Sequence, residues 1–148
     1  MRLWHYKLIP VLPRQHLLAQ WRECCAIASN IANKGTPNHL LVNKVLVYSQ
    51  LHFTVYCNMI LEEMHNRNYK VSESSYTRLV ENLEKSKKYF FQGTAPIINK
   101  QIYTGWHNDR YLTQCYNNLQ EKWDCGGIPT KEWTKVDEMY KAHFKEGK

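Results

Sequence analysis

Apolar positions recur every three or four residues along most of this chain, the pattern of amphipathic helices. From Gln15 to Ala32, Leu17, Leu18, Trp21, Cys24, Cys25, Ala28 and Ile31 predict one broad buried face. Pro13 is suited to open that helix, because a first-turn N–H has no intrahelical partner to lose. Lys34-Gly-Thr-Pro-Asn38 then supplies turn residues that break it. Phe53, Tyr56, Cys57, Ile60, Leu61 and Met64 keep the same rhythm and predict a second long helix, ending at Arg67-Asn68 with Asn68 as a left-handed cap. Ser74 or Ser75 is expected to cap a third helix running through Lys88, with Leu79, Val80 and Leu83 inward. Gly93-Thr-Ala-Pro96 and the stretch to Gly105 read as a long connection, in which Asn99–Thr104 has extended character. Leu112, Cys115, Tyr116, Leu119 and Trp123 mark a fourth helix, closed by Gly126-Gly-Ile-Pro129. Trp133, Val136 and Tyr140 mark a last one before a polar tail. No repeat or linker interrupts the series. The expectation is all-α: a single compact helical domain over residues 1–148.

Size and composition agree with this. A core built from 148 residues buries roughly 68–70% of the unfolded surface and folds without staples. No apolar run is long enough to span a bilayer, so no membrane partner is expected. The opening ten residues lack the uninterrupted apolar stretch of a signal peptide, so the mature chain is expected to begin at or next to Met1. Five cysteines, an odd number without C-x-x-C spacing, point to reduced thiols and a cytoplasmic protein. The histidines show no paired-ligand spacing, so no metal site is expected.

Charge changes the picture more. The net charge is +7, which suggests an anionic partner. Residues 1–50 hold Arg2, Lys7, Arg14, Arg22, Lys34 and Lys44 against the single acid Glu23, and the next carboxylate is Glu62. On a wheel at about 100° per residue, Glu23 falls opposite the apolar face named above. Its helical neighbours Ala19, Ala26 and Asn30 leave it unshielded, and Arg22 lies on the same polar half. The plain reading is a solvated helix carboxylate. A lone acid among cations is nevertheless a poor choice for solubility alone. Positive neighbours should hold it ionised, suiting a general base or a stabiliser of cationic intermediates.

These residues carry a resemblance. Gln15-His16-Leu17 followed by Arg22-Glu23 resembles the opening helix of the pyrimidine-dimer DNA glycosylases of the phage endonuclease V type. Tyr48-Ser-Gln-Leu51-His-Phe53 is similar to that family's Y-x-x-L-x-F stretch, and Glu63-Met-His-Asn-Arg67-Asn-Tyr69 to its E-x-x-x-R-G-F segment. Leu119-Gln-Glu121-Lys122 is similar to its L-x-E-K, and Met1-Arg-Leu-Trp4 resembles the opening of a bacterial branch.

The resemblance implies a DNA-repair glycosylase and abasic-site lyase that needs neither cofactor nor metal. Its N-terminal α-amine attacks C1′ of a damaged nucleotide to form an imine, and β-elimination then nicks the strand. Met1 would supply that amine, because the size of Arg2 should block removal of the initiator. Glu23 would assist, and Arg2, Gln15, His16 and Arg22 would contact damaged double-stranded DNA. An α-amine with an ordinary pKa of about 7.7 is roughly one-sixth neutral at pH 7, against about one in 2,500 for lysine. A monomer is expected.

Three features depart from the phage pattern. Either a one-residue insertion before Gln15 aligns Met1 with the nucleophile, or the amine is displaced by one residue, about 3.8 Å. Ala26 replaces an arginine, and Lys131-Glu-Trp133-Thr-Lys135 replaces an aromatic tail. The competing class is a non-catalytic helical DNA- or RNA-binding module of the same fold, and a third is a domain whose basic face meets acidic proteins.

Overall fold

Pro13 does not occupy the first helical turn. In the computed structural model, which describes residues 1–93 and 96–146, it is the N-cap of a helix that starts one residue later, α1 (Arg14–Lys34). Gly35 ends α1 with φ +76°, a left-handed conformation open to glycine, and its N–H reaches the Ile31 carbonyl at 2.8 Å. The remaining helices are α2 (Gln50–Asn66), α3 (Glu73–Ser86), α4 (Asp109–Asp124) and α5 (Thr130–Glu146). Short 3₁₀ helices lie at Tyr6–Val11, Asn43–Val47 and Lys87–Tyr89. No strand occurs among the described residues, so the fold is all-α.

α2 follows its sequence pattern. All six predicted apolar residues are buried, and Asn68 caps the end with φ +61°. α3 differs in two ways. Its cap is Ser72, whose Oγ accepts the Ser75 N–H at 3.1 Å, so the helix begins before Ser74 and Ser75, with Glu73 in its dipole-matched first turn. Val80 is exposed, because the inward stripe runs through Leu79, Leu83 and Ser86. That helix stops at Ser86, and Lys88 belongs to the 3₁₀ turn.

The expected extended run at Asn99–Thr104 is absent. Asn99, Lys100 and Tyr103 all have positive φ, and the chain coils tightly to bury Ile102 and Tyr103. His52 Nδ1 accepts the Tyr103 N–H at 3.0 Å and anchors the coil. The connection read between Gly93 and Gly105 passes through Thr94 and Ala95, which lie outside the described residues, as do the last two residues of the polar tail.

α1 packs against both α2 and α3, while α4 and α5 form a hairpin. The 3₁₀ helix at Tyr6–Val11 touches both α2 and α5, bridging the two groups. Arg67 rivets it in place. Its Nε meets Glu63 Oε2 at 2.7 Å, and its Nη1 donates to the Leu12 carbonyl at 2.8 Å. That gives a physical role to both charged residues of the Glu63–Tyr69 motif.

Candidate active site

Residues 2–5 enter the core ahead of the first 3₁₀ helix, with Leu3, Trp4 and His5 buried. A segment without regular structure must find partners for its backbone elsewhere. Here Tyr111 Oη donates to the Leu3 carbonyl at 2.6 Å, and the Tyr6 N–H donates to His107 Nδ1 at 3.1 Å. The central partner is Gln20, fully buried on α1. Its Oε1 accepts the Trp4 N–H at 2.8 Å, and its Nε2 donates to the Arg2 carbonyl and to Glu23 Oε2, each at 2.9 Å. A backbone N–H can only donate, so Trp4 fixes which end of the amide faces it and aims the amino end at Glu23. The Tyr56 hydroxyl lies 2.7 Å from the Trp4 carbonyl and 2.8 Å from Gln20 Oε1, with one proton to share between them.

Gln20 also corrects the position of Glu23. Buried Gln20 and Ile27 move the core-facing stripe of α1 away from Leu18 and Cys25, which are only partly buried. On the wheel Glu23 then lies about 40° from Ile27 and about 60° from Gln20. It sits at the margin of the core, half-buried, and not opposite it. Its ionisation follows from that place. Burial raises the carboxyl above its ordinary range, and this outweighs the pull of the Met1 α-ammonium, the Arg2 backbone amide, Arg22 and His39. The expectation that surrounding cations would dominate is therefore reversed.

All six sequence-predicted site residues, Met1, Arg2, Gln15, His16, Arg22 and Glu23, line one groove of about 560 Å³. Met1 is 44% exposed at its mouth. Arg2 is steadied by Trp4, its guanidinium 5.3 Å from the ring centroid, and Arg22 is exposed. Gln15 spends its amide N–H on the Gly127 carbonyl at 2.6 Å, which leaves its oxygen for another partner. His16 packs edge-on against Trp4, and burial, aided by Lys122, lowers its pKa and favours the neutral ring. Ala26 does not line the groove.

The other wall comes from His39, Leu41, Asn118 and Lys122. None of these was singled out for the site, although Lys122 closes the L-x-E-K motif. Gln20 was missed as well; a lone glutamine on an otherwise apolar stripe was the available signal. Among the described residues, no three His, Cys, Asp or Glu side chains gather closely enough to hold a metal ion, and no helix is long and apolar enough to cross a membrane. All five cysteines are unpaired thiols.

Compared with known proteins, residues 1–77 match the family model described as pyrimidine dimer DNA glycosylase. No significant match to a curated protein or to a solved structure is found.

Proposed function

The chain belongs to the pyrimidine dimer DNA glycosylase family, and from that premise we propose that it is also an abasic-site lyase working through an imine on the Met1 amine. The observation that carries this reading is the convergence of Met1 and Glu23 in one groove, with Gln20 bonded to both the Arg2 carbonyl and the Glu23 carboxylate. The nucleophile and its acid–base partner thereby share one rigid support.

The neutral amine attacks C1′ of the lesion's sugar as the glycosidic bond breaks, and the base leaves with the bonding electrons. The new C1′–N bond becomes an imine when the sugar ring opens at its ring oxygen and the nitrogen gives up its protons. Loss of a C2′ proton then expels the 3′ phosphate, and water releases the enzyme. Glu23, made less acidic than usual by burial, stabilises the cationic sugar and imine as its carboxylate and carries protons between these steps. Arg2, Arg22 and Lys122 offer the groove's cations to phosphates, and Gln15 and His16 offer hydrogen bonds. We take residues 1–148 as one domain acting as a cytoplasmic monomer on damaged duplex DNA, without cofactor or metal.

Borohydride reduction tests the imine directly. Incubated with a duplex bearing one abasic site, wild-type protein should be trapped as a covalent adduct, and protein acetylated at its α-amine should not. Equal trapping by the two forms would move the nucleophile away from Met1. Salt-sensitive DNA binding with no trapping would leave the non-catalytic binding module as the better reading.

A further inference from the structure

Two exposed leucines stand beside the groove among the cations Arg2, Lys44 and Arg110. Leu40 is 89% exposed and Leu41 53% exposed. They are the two central residues of a turn closed by the Val42 N–H on the His39 carbonyl at 3.0 Å. Such positions ordinarily take Gly, Asn, Asp or Ser, so two leucines there need a reason.

The turn is built to keep them out. Asn43 Oδ1 accepts the His39 N–H at 3.2 Å and the Thr36 hydroxyl at 3.3 Å, and Thr36 Oγ1 accepts the Asn38 N–H at 3.0 Å. Pro37 and Val42, on either side, are buried and seat the loop. Arg2 and Leu41 line both the Met1–Glu23 groove and a second groove of about 440 Å³, so they form the divide between the two. Lys44, Arg110 and Trp106 belong to that second groove, and Leu40 stands on its edge.

We propose that Leu40 and Leu41 are a wedge that enters the base stack of duplex DNA next to the lesion. This rests on the DNA-glycosylase reading of the adjoining groove. Apolar side chains inserted between base steps unstack and kink a duplex. The cations on either side, Arg2, Lys44 and Arg110, would hold the two flanking phosphate runs while the turn pushes between them. Neighbouring bases are thereby separated where the Met1 amine needs access to C1′, and selection for weakly stacked, damaged steps follows, because these cost least to open.

The test uses full-length protein with Leu40→Ala, the leucine that does not line the Met1–Glu23 groove, in a duplex whose base beside the lesion is a fluorescent adenine analogue that brightens when unstacked. The Leu40 side chain is exposed, so the variant should melt like wild type. Wild type should brighten the analogue and release the lesion. The variant should lose the brightening and excise a duplex thymine dimer about tenfold more slowly, the opening now being uncompensated. Its borohydride trapping on a single-stranded abasic oligonucleotide, where no stack must be opened, should stay within about twofold of wild type. Undiminished brightening by the variant overturns the wedge, and so does an equal loss on the single-stranded substrate. Wild type that brightens the analogue but traps no abasic strand overturns the imine instead and leaves the wedge standing.

Discussion

The N-terminal segment with α1 and the α4–α5 hairpin are held together by different forces. In the first, hydrogen bonds at one buried amide dominate: Gln20 pairs with Trp4, Arg2 and Glu23, and the neighbouring Leu3 carbonyl accepts from Tyr111 of α4. In the second, rings stack. Tyr116 lies on Tyr140 with centroids 3.8 Å apart, and Trp123 on Trp133 at 5.3 Å. Stacked rings tolerate small displacements, whereas a hydrogen-bonded amide accepts only one arrangement. Precision is therefore concentrated around the Glu23 carboxylate, and α4 of the hairpin lends the groove a wall.

Glu23→Gln is the sharpest way to break that contrast. It should lower strand nicking by at least about a hundredfold while DNA retention on a gel stays near wild type. Nicking at the wild-type rate would remove Glu23 from the chemistry. Gln20→Leu comes next. It fills the same space but strands the Trp4 N–H and the Arg2 carbonyl, at about 1–3 kcal/mol each. Urea unfolding should show a loss of about 4 kcal/mol, and nicking should fall as well. Gln20→Glu, which keeps an acceptor for Trp4 but sets a second carboxylate beside Glu23, should instead move the pH profile.

Acid should also act on the polar region. His5 Nδ1 accepts the Lys7 N–H, and burial lowers its pKa from 6.5 to about 4. Unfolded protein binds the proton near pH 6.5 and folded protein only near pH 4. The stabilisation from a neutral His5 is thus complete above pH 6.5 and drains as pH falls towards 4, by about 3 kcal/mol in all. His107, lowered by burial and by His5, acts in the same direction. Melting temperature followed from neutral pH to pH 4 should drop less steeply in His5→Gln; parallel curves would contradict this account.

For activity, the raised Glu23 pKa places the acid limb of kcat/KM above the ordinary carboxylate value of 4.5. A limb at or below that value would mean the group is not desolvated in the working enzyme. The smallest effect belongs to the hairpin. Tyr140→Phe removes only the 2.9 Å contact with Thr113, so stability should fall by about 1 kcal/mol or less and nicking should not change. A larger effect on nicking would mean that the wall does more than support.

Helices were legible because their signal is periodic and local. α2 could be read residue by residue, down to the left-handed Asn68. The coil at Asn99–Tyr103 could not, because its positive φ angles answer to the burial of Tyr103 and to His52, 51 residues away in sequence. The six candidate site residues were legible as residue types in a basic field, with the family resemblance, and one groove gathers all six of them. The ionisation of Glu23 was misjudged for one reason: the buried stripe was drawn without Gln20 and Ile27. A polar residue in the core is invisible to hydrophobic periodicity until its partners are known.

The hydroxyl of Tyr111 and the carbonyl of Leu3 are separated by 108 residues in the chain. Leu3 is made before α4 and therefore cannot complete its contacts until α4 exists to receive it. Local helices can form as they emerge, but the docking of residues 2–4 waits for contacts of high sequence separation, which are the slow ones to close. Residues 2–4 are thus made before the helix that holds them, and a chain truncated before Tyr111 would keep the matched residues 1–77 while leaving the Leu3 carbonyl without its Tyr111 partner.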